Sequence, residues 1–549
     1  MKTRAMALLA FILAFTLAAP AFAQDEDLIV QPMPGFEIEK MVGGLTYPTA
    51  LTWDDQGRMY VAESGGSFQE EPPPARILRV ENGSTTEVAN LSEMEVGASV
   101  VGLYWHDGAF YFTHRDAKDR TGAVSRMTMD GERTQLFSGI LDSQSEHQVN
   151  DIRMGPDGRM YLASGPAGNA AVMGIDNGPN IARSPKVHTT SCQDIVLTGQ
   201  NFETPDIRTP NNQSDKALTG AYVPFGTTTM PGQRIEGTNK CGGAILSFDP
   251  EDPEGTLKPY AHGLRNVIGM TWDKSGQMYV AVNGYDVRGS RPVQDEFDPT
   301  YKIEEGAWYG WPDFSAGLDP LTEARFDVPD PLQVPVFVGK ERQPKPIRIN
   351  PVIDHEASGL SVADKSTVFG RHTFGSSPSL LDVAPDSWGE MAGHLFVAEW
   401  GDLSPPTNPL REMRVGYQVS MINPDTGEAV PFVRNVKPGP ASMQGAMGKG
   451  IERPFDVKFG PDGAMYIVDY GVANINLARI KQNKLPYEFP PETGAIWKVT
   501  RTSGMPSTGG GGTSINQGGN LSLLPLAVLG LAAVLPVGLA VRRRRSRQF

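Results

Sequence analysis

The chain has 549 residues, with 63 acidic against 49 basic side chains and a formal charge of −14. Residues 1–23 and 502–549 hold seven basic residues and no acidic one, so the stretch between them carries −21; such a field repels phosphate backbones and excludes nucleic acid as a partner. The only cysteines are Cys192 and Cys241; with no Cys-x-x-Cys pair they suit a disulfide in an oxidising compartment rather than a metal centre or an attached haem.

Lys2 and Arg4 precede an apolar run from Ala5 to Ala19, and Ala21-Phe22-Ala23 supplies the small-x-small pattern of a signal-peptidase site. Residues 1–23 therefore read as a signal peptide, with the mature chain starting at Gln24; a retained N-terminal anchor is the alternative, but the run is short for a span of about 20 residues. Residues 24–35 form a tail. Phe36 to Val42 is a spare strand ahead of any repeat.

Six related phrases follow. They are Trp53-Asp54-Asp55-Gln56-Gly57-Arg58-Met59-Tyr60-Val61-Ala62, Trp105 to Phe112, Gly155-Pro156-Asp157-Gly158-Arg159-Met160-Tyr161, Trp272 to Ala281, the weaker Met391 to Ala398, and Gly460-Pro461-Asp462-Gly463-Ala464-Met465-Tyr466. In most, a glycine after a polar residue supplies the positive torsion of a tight hairpin, and alternating aromatic and aliphatic residues follow as a buried strand. Further strand-like runs are Arg76–Val80, Ala123–Met129, Ala244–Phe248, Tyr417–Ile422 and Ala495–Val499. Six such units predict an all-β fold, a six-bladed β-propeller over residues 36–501, with two tandem smaller domains as the alternative. The unit after the sixth phrase is one strand short, so Phe36–Val42 is expected to complete it and fasten the two ends of the chain together. The uneven spacing predicts insertions at about 165–240 and 313–378, loops over one face where function tends to reside, the first of them stapled by Cys192–Cys241.

Residues 502–520 read as a flexible Gly/Ser/Thr linker containing Met505-Pro506-Ser507-Thr508-Gly509. Leu521 to Val541 is an uncharged run long enough to cross a membrane, and Arg542–Arg545 with Arg547 form a basic tail (542–549) that stays cytoplasmic. The pentapeptide, span and basic tail resemble a sortase sorting signal, with Met in place of the usual Leu. Both anchoring modes, the transmembrane helix or covalent attachment to the cell wall, predict an exported, cell-surface protein.

No Gly-x-Ser-x-Gly elbow and no His-x-x-x-His occurs, which removes the common serine-esterase and zinc-hydrolase patterns. Of the eight histidines, His147 stands immediately ahead of the third phrase. Arg265 and Asn266 precede the fourth phrase in the same way, and Arg453 the sixth. Residues that lead into the innermost strand of a propeller blade point into the central funnel. Imidazole, amide and two guanidiniums converging there suit an anionic planar ligand held by arginine forks with a histidine near its reactive edge; a role between strands is the alternative for each taken singly.

His147 to Gly165, Gly263-Leu264-Arg265-Asn266 and Gly306-Ala307-Trp308-Tyr309-Gly310-Trp311-Pro312 resemble the glucose/sorbosone dehydrogenase family over most of residues 35–501. The resemblance implies a propeller oxidoreductase that transfers hydride from a sugar, or a related alcohol or aldehyde, to pyrroloquinoline quinone, with calcium orienting the quinone and an electron acceptor of unknown identity. His147 then matches the general base, Arg265, Asn266 and Arg453 the cofactor-binding residues, and Gly284 and Tyr285 the pair whose backbone carbonyls bind Ca²⁺. The chain departs from the family at three places. Phe455 stands where a second arginine is expected, Glu399-Trp400 where a lysine is expected, and no glutamine occurs near Gly97. Two other functions stay open: a propeller that lost the cofactor and binds glycans or proteins, and a metal-dependent lactonase-type hydrolase.

Overall fold

The computed structural model describes residues 28–66, 72–209, 214–482 and 484–502. The signal peptide, the linker with its pentapeptide, the apolar run at 521–541 and the basic tail lie outside them. Among the described residues no helix is long and apolar enough to cross a membrane.

The repeated phrase folds as a hairpin for a reason visible in its side chains. Asp54 Oδ1 accepts from the backbone N–H groups of Gln56 and Arg58 at 3.0 and 2.9 Å, and Tyr60 OH donates to Asp54 Oδ2 at 3.0 Å. The same aspartate–turn–tyrosine unit recurs at Asp157 with Tyr161, Asp273 with Tyr279 and Asp462 with Tyr466. The turn glycines Gly57, Gly158, Gly276 and Gly463 all have φ between +73° and +85°, where any side chain would be strained. The aspartate thus satisfies the turn amides and holds the tyrosine of the next strand.

These hairpins build six antiparallel sheets. Their first strands are Pro48–Trp53, Leu103–His106, Val149–Met154, Asn266–Trp272, Pro378–Val383 and Pro454–Phe459. Each packs on the first strand of the next sheet, and the sixth packs on the first, an arrangement consistent with an all-β propeller. Phe36–Leu45 pairs with Gly494–Arg501, Phe36 opposite Arg501, so the N-terminal strand completes the sixth sheet as its position in the sequence predicts. Val30–Pro32 adds a strand to the outer edge of the fifth sheet.

Polar side chains, all buried but the partly exposed Asp382, tie the first strands across the seams. Asp456 accepts from Leu51 N at 2.9 Å, Asp151 from Met270 N at 3.1 Å and Asp382 from Phe459 N at 3.0 Å, while Arg153 donates to Leu381 O at 3.0 Å. Charges this deep are tolerated because each meets a backbone group or an opposite charge, as Arg153 meets Asp151 at 2.9 Å.

The two insertions are one body. Gln200–Pro205, in the first, pairs with Lys216–Gly220 and with Val336–Val338, in the second. Their shared core includes Ile195, Phe202, Tyr222, Trp308, Trp311, Phe326 and Ile353. Cys192 and Cys241 form the expected disulfide, with Cα atoms 5.1 Å apart. The second insertion is shorter than its expected limits, since Val368–Thr373 is the outer strand of the fourth sheet; a strand without the repeated phrase carries no marker in the sequence.

Candidate functional site

His147 lies between a short 3-10 turn, Leu141–Gln144, and the first strand of the third sheet. Its Nδ1–H donates to Pro166 O at 2.8 Å, which leaves the lone pair on Nε2. The side chain is 10% exposed. Burial first, then the nearby charges of Arg265 and Arg288, holds its pKa well below the ordinary 6.5, so the imidazole is neutral near pH 7.

Gly165 explains how His147 and Asn266 come together. A Cβ at residue 165 would sit 2.4 Å from Asn266 Oδ1 and 2.7 Å from His147 Cβ, so only glycine lets the two entry segments close on each other. Asn266 Oδ1 accepts from Asn150 Nδ2 at 3.2 Å. Arg265 reaches the same region but spends its donors inside the protein. Nε and Nη2 bind the carbonyl and side-chain oxygens of Asn169, Nη1 binds Asn283 O, and Nη2 also meets Asp286 Oδ2 at 3.0 Å.

Around them lie charged residues that the sequence reading did not single out. Arg288 contacts Glu146 Oε2 at 2.9 Å, Asp286 Oδ2 at 2.8 Å and Asp176 Oδ2. Burial raises the pKa of Asp286, but Arg288 and Arg265 outweigh it and hold the group below its ordinary value. Asp176 goes the other way: burial, reinforced by the charge of Glu146, raises it. Glu146 is adjacent to His147, and Asp286 and Arg288 closely follow Gly284-Tyr285, so proximity in the chain was an available signal for these three. Asp176 comes from the first insertion and carried none.

Arg453 is not part of this cluster. Its guanidinium lies 4.1 Å from the Trp400 ring and 4.9 Å from the Tyr417 ring, and donates to the carbonyls of Trp400, Gly401 and Asp402 at 3.2 Å. It is 1% exposed. The positions where the family places cations are filled differently here. Trp400 and Phe455 pack with Tyr47, Tyr470 and Phe489 in an aromatic cluster, and Glu399 is held by His372, Gln418 and Ser420. A side chain at Gly97 would meet Arg115 O at 2.7 Å, so no glutamine fits.

No protein-family model and no curated protein sequence matches the chain. Among solved structures, it is similar to an oxidoreductase from Thermus thermophilus described as a glucose dehydrogenase (17% identity, 85% of this chain and 100% of that one, TM-score 0.43). It is also similar to the quinone-bound aldose sugar dehydrogenase of Streptomyces coelicolor (15%, 85% and 99%, 0.44) and to the quinone domain of pyranose dehydrogenase from Coprinopsis cinerea (14%, 86% and 97%, 0.47). At these identities and TM-scores the chemistry has to be decided by the residues of the site itself.

Those residues do not match pyrroloquinoline quinone. Three carboxylates call for uncommitted cationic donors, whereas Arg265 and Arg453 are tied to carbonyls and Asp286, and the remaining wall is aromatic. The His147 cluster sets the carboxylates of Glu146, Asp176 and Asp286 around Arg265 and Arg288, so these guanidiniums already have anionic partners within the protein. For calcium, the expected ligands are the backbone carbonyls of Gly284 and Tyr285; the Gly284 N–H is bound to Asp298 Oδ1 and the Tyr285 hydroxyl donates to Phe314 O. Ca²⁺ takes six to eight oxygens, and among the described residues no three His, Cys, Asp or Glu side chains form a metal-binding group.

Proposed function

We propose that this protein is an exported, surface-anchored, six-bladed propeller oxidoreductase that acts on a hydroxyl of a sugar or related alcohol, with His147 as the proton acceptor. The observation that carries the reading is the state of His147: neutral, its tautomer set by Pro166 O, its Nε2 lone pair uncommitted, at the mouth of an innermost strand. A base prepared in this way takes up the proton of a ligand hydroxyl, the O–H bond breaking as the N–H bond forms. The six sheets serve as the six blades. The signal-like N-terminus and the span with its basic tail support export and anchoring in the membrane or cell wall. Pyrroloquinoline quinone, which the family resemblance implies, does not match the donor set.

His147→Ala is expected to abolish dye-coupled oxidation of aldoses at unchanged melting temperature; undiminished turnover would sink the assignment. A second reading, a surface propeller that binds glycans or proteins without a cofactor, is favoured by the aromatic cluster and by the locked Arg453. Dye-coupled turnover on a panel of aldoses, read beside calorimetric titration of oligosaccharides into the purified protein, separates the two. Turnover that His147→Ala abolishes supports the oxidoreductase, and saturable oligosaccharide binding without turnover supports the binding protein.

A further inference from the structure

We infer that Glu146 is the positioning residue of His147, holding the imidazolium that forms when Nε2 takes up a proton. The inference rests on His147 acting as a base.

Glu146 Oε1 lies 3.8 Å from His147 Nε2, and Glu146 Oε2 is fixed by Arg288 Nη1 at 2.9 Å. Because Nδ1 carries the hydrogen donated to Pro166 O, Nε2 and Oε1 face each other as two acceptors. Two lone pairs cannot form a hydrogen bond, which explains a separation about 1 Å longer than a charge-assisted N–H···O contact. It also explains why Oε1 is buried without a hydrogen-bond partner among the described residues. Proteins rarely leave a buried carboxylate oxygen unsatisfied. Here the donor it lacks is the one His147 acquires on protonation.

The surrounding charges are mixed. His147 and Glu146 face Arg265, Arg288, Asp286, Asp176 and the ring of Tyr487. Arg265 and Arg288 oppose a proton on the imidazole and Asp286 favours it, and Glu146 Oε1 is the carboxylate oxygen placed 3.8 Å from Nε2 to hold the charged ring. In such a site a ligand hydroxyl gives its proton to Nε2, the O–H bond breaking as the N–H bond forms, and the carboxylate of Glu146, 3.8 Å away, stabilises the imidazolium. No electron changes hands in this step.

The test is the titration of His147 in the full-length protein labelled with ¹⁵N-histidine, followed by NMR in wild type, Glu146→Gln and Glu146→Asp. Glu146→Gln keeps an acceptor for Arg288 but removes the charge, and is expected to lower the His147 pKa by about one unit or more. Glu146→Asp, which keeps the charge on a shorter stem, is expected to recover part of that shift. A His147 titration that is the same in all three proteins overturns the inference. If neither variant folds, the wild type decides at low pH: a slowly exchanging Nε2–H resonance supports the contact, and a rapidly exchanging one overturns it. This readout needs no turnover. A wild type without oxidase or dehydrogenase activity but with the expected shifts would therefore sink the proposed reaction and keep the Glu146–His147 coupling.

Discussion

Replacing Arg453 by methionine separates two roles for one residue. A cofactor arginine can be lost without harm to the fold; a buried tie cannot. The methionine side chain would keep most of the stem packing between Trp400 and Tyr417 but none of the N–H donors. The carbonyls of Trp400 and Gly401 would lose their guanidinium contacts at 3.2 Å, Asp402 O would keep only the Tyr417 hydroxyl at 2.8 Å, and the rings at 4.1 and 4.9 Å would lose the cation. A buried acceptor left unpaired costs about 1–3 kcal/mol, and each ring face contributes about 0.5–2 kcal/mol. Against this stands the desolvation of the guanidinium, several kcal/mol that methionine does not incur. The net loss is about 3–5 kcal/mol, the range found when a buried charged network is broken. With an unfolding entropy of about 2.1 cal/mol/K per residue over about 470 residues, or roughly 1 kcal/mol/K, the melting temperature falls by about 3–5 °C. Scanning calorimetry of Arg453→Met beside the wild type reads this directly. An unchanged melting temperature accompanied by lost quinone binding would refute the structural assignment and return Arg453 to the cofactor.

Two further outcomes follow from the structure. Replacing Cys192 and Cys241 by serine opens a closed loop with a sequence separation of 49, worth about 4 kcal/mol by loop-closure entropy; hydrogen exchange should accelerate across the first insertion while the strands Met160–Ser164 and Ala244–Phe248 stay protected, and uniform exchange throughout would count against a local staple. Asp142, buried beneath that insertion, accepts from Ala167 N, Thr190 N and Thr190 Oγ1, yet burial pushes its pKa from 3.8 up to about 7. Its folded value lies above the unfolded one, so its contribution to stability is complete below about pH 4 and is lost as pH rises through about 7. Asp142→Asn should flatten the dependence of urea midpoints on pH in that window by up to about 1.4 kcal/mol per unit, and an unaltered slope would contradict the assignment.

Much of the architecture is local enough to be read along the chain. The aspartate, glycine and tyrosine of each phrase interact within a few residues, as Asp54 and Tyr60 do, so the hairpin is written where it forms. The missing strand of the sixth sheet was legible because a count of strands left one place and one candidate, Phe36–Val42. Position relative to an innermost strand also sufficed to bring His147 and Asn266 together, with Gly165 as the residue that permits it.

What the arginines do was not legible in this way. Arg265 and Arg453 each precede an innermost strand, as the sequence indicates, but a guanidinium on a long stem binds whatever the fold brings within reach. For Arg265 that is Asn169, from the first insertion, and for Arg453 it is the carbonyls that follow the fifth sheet's Leu395–Glu399 strand. The union of the two insertions through Gln200–Pro205 and Val336–Val338, and the meeting of Glu146, Asp176, Asp286 and Arg288, likewise join segments more than a hundred residues apart. By itself the sequence determined the hairpins, the closure of the ends and the residues that lead into the first strands of the sheets. Tertiary structure alone decided which of those residues keep an uncommitted lone pair or donor, because hydrogen-bond capacity is limited and long-range partners use it first.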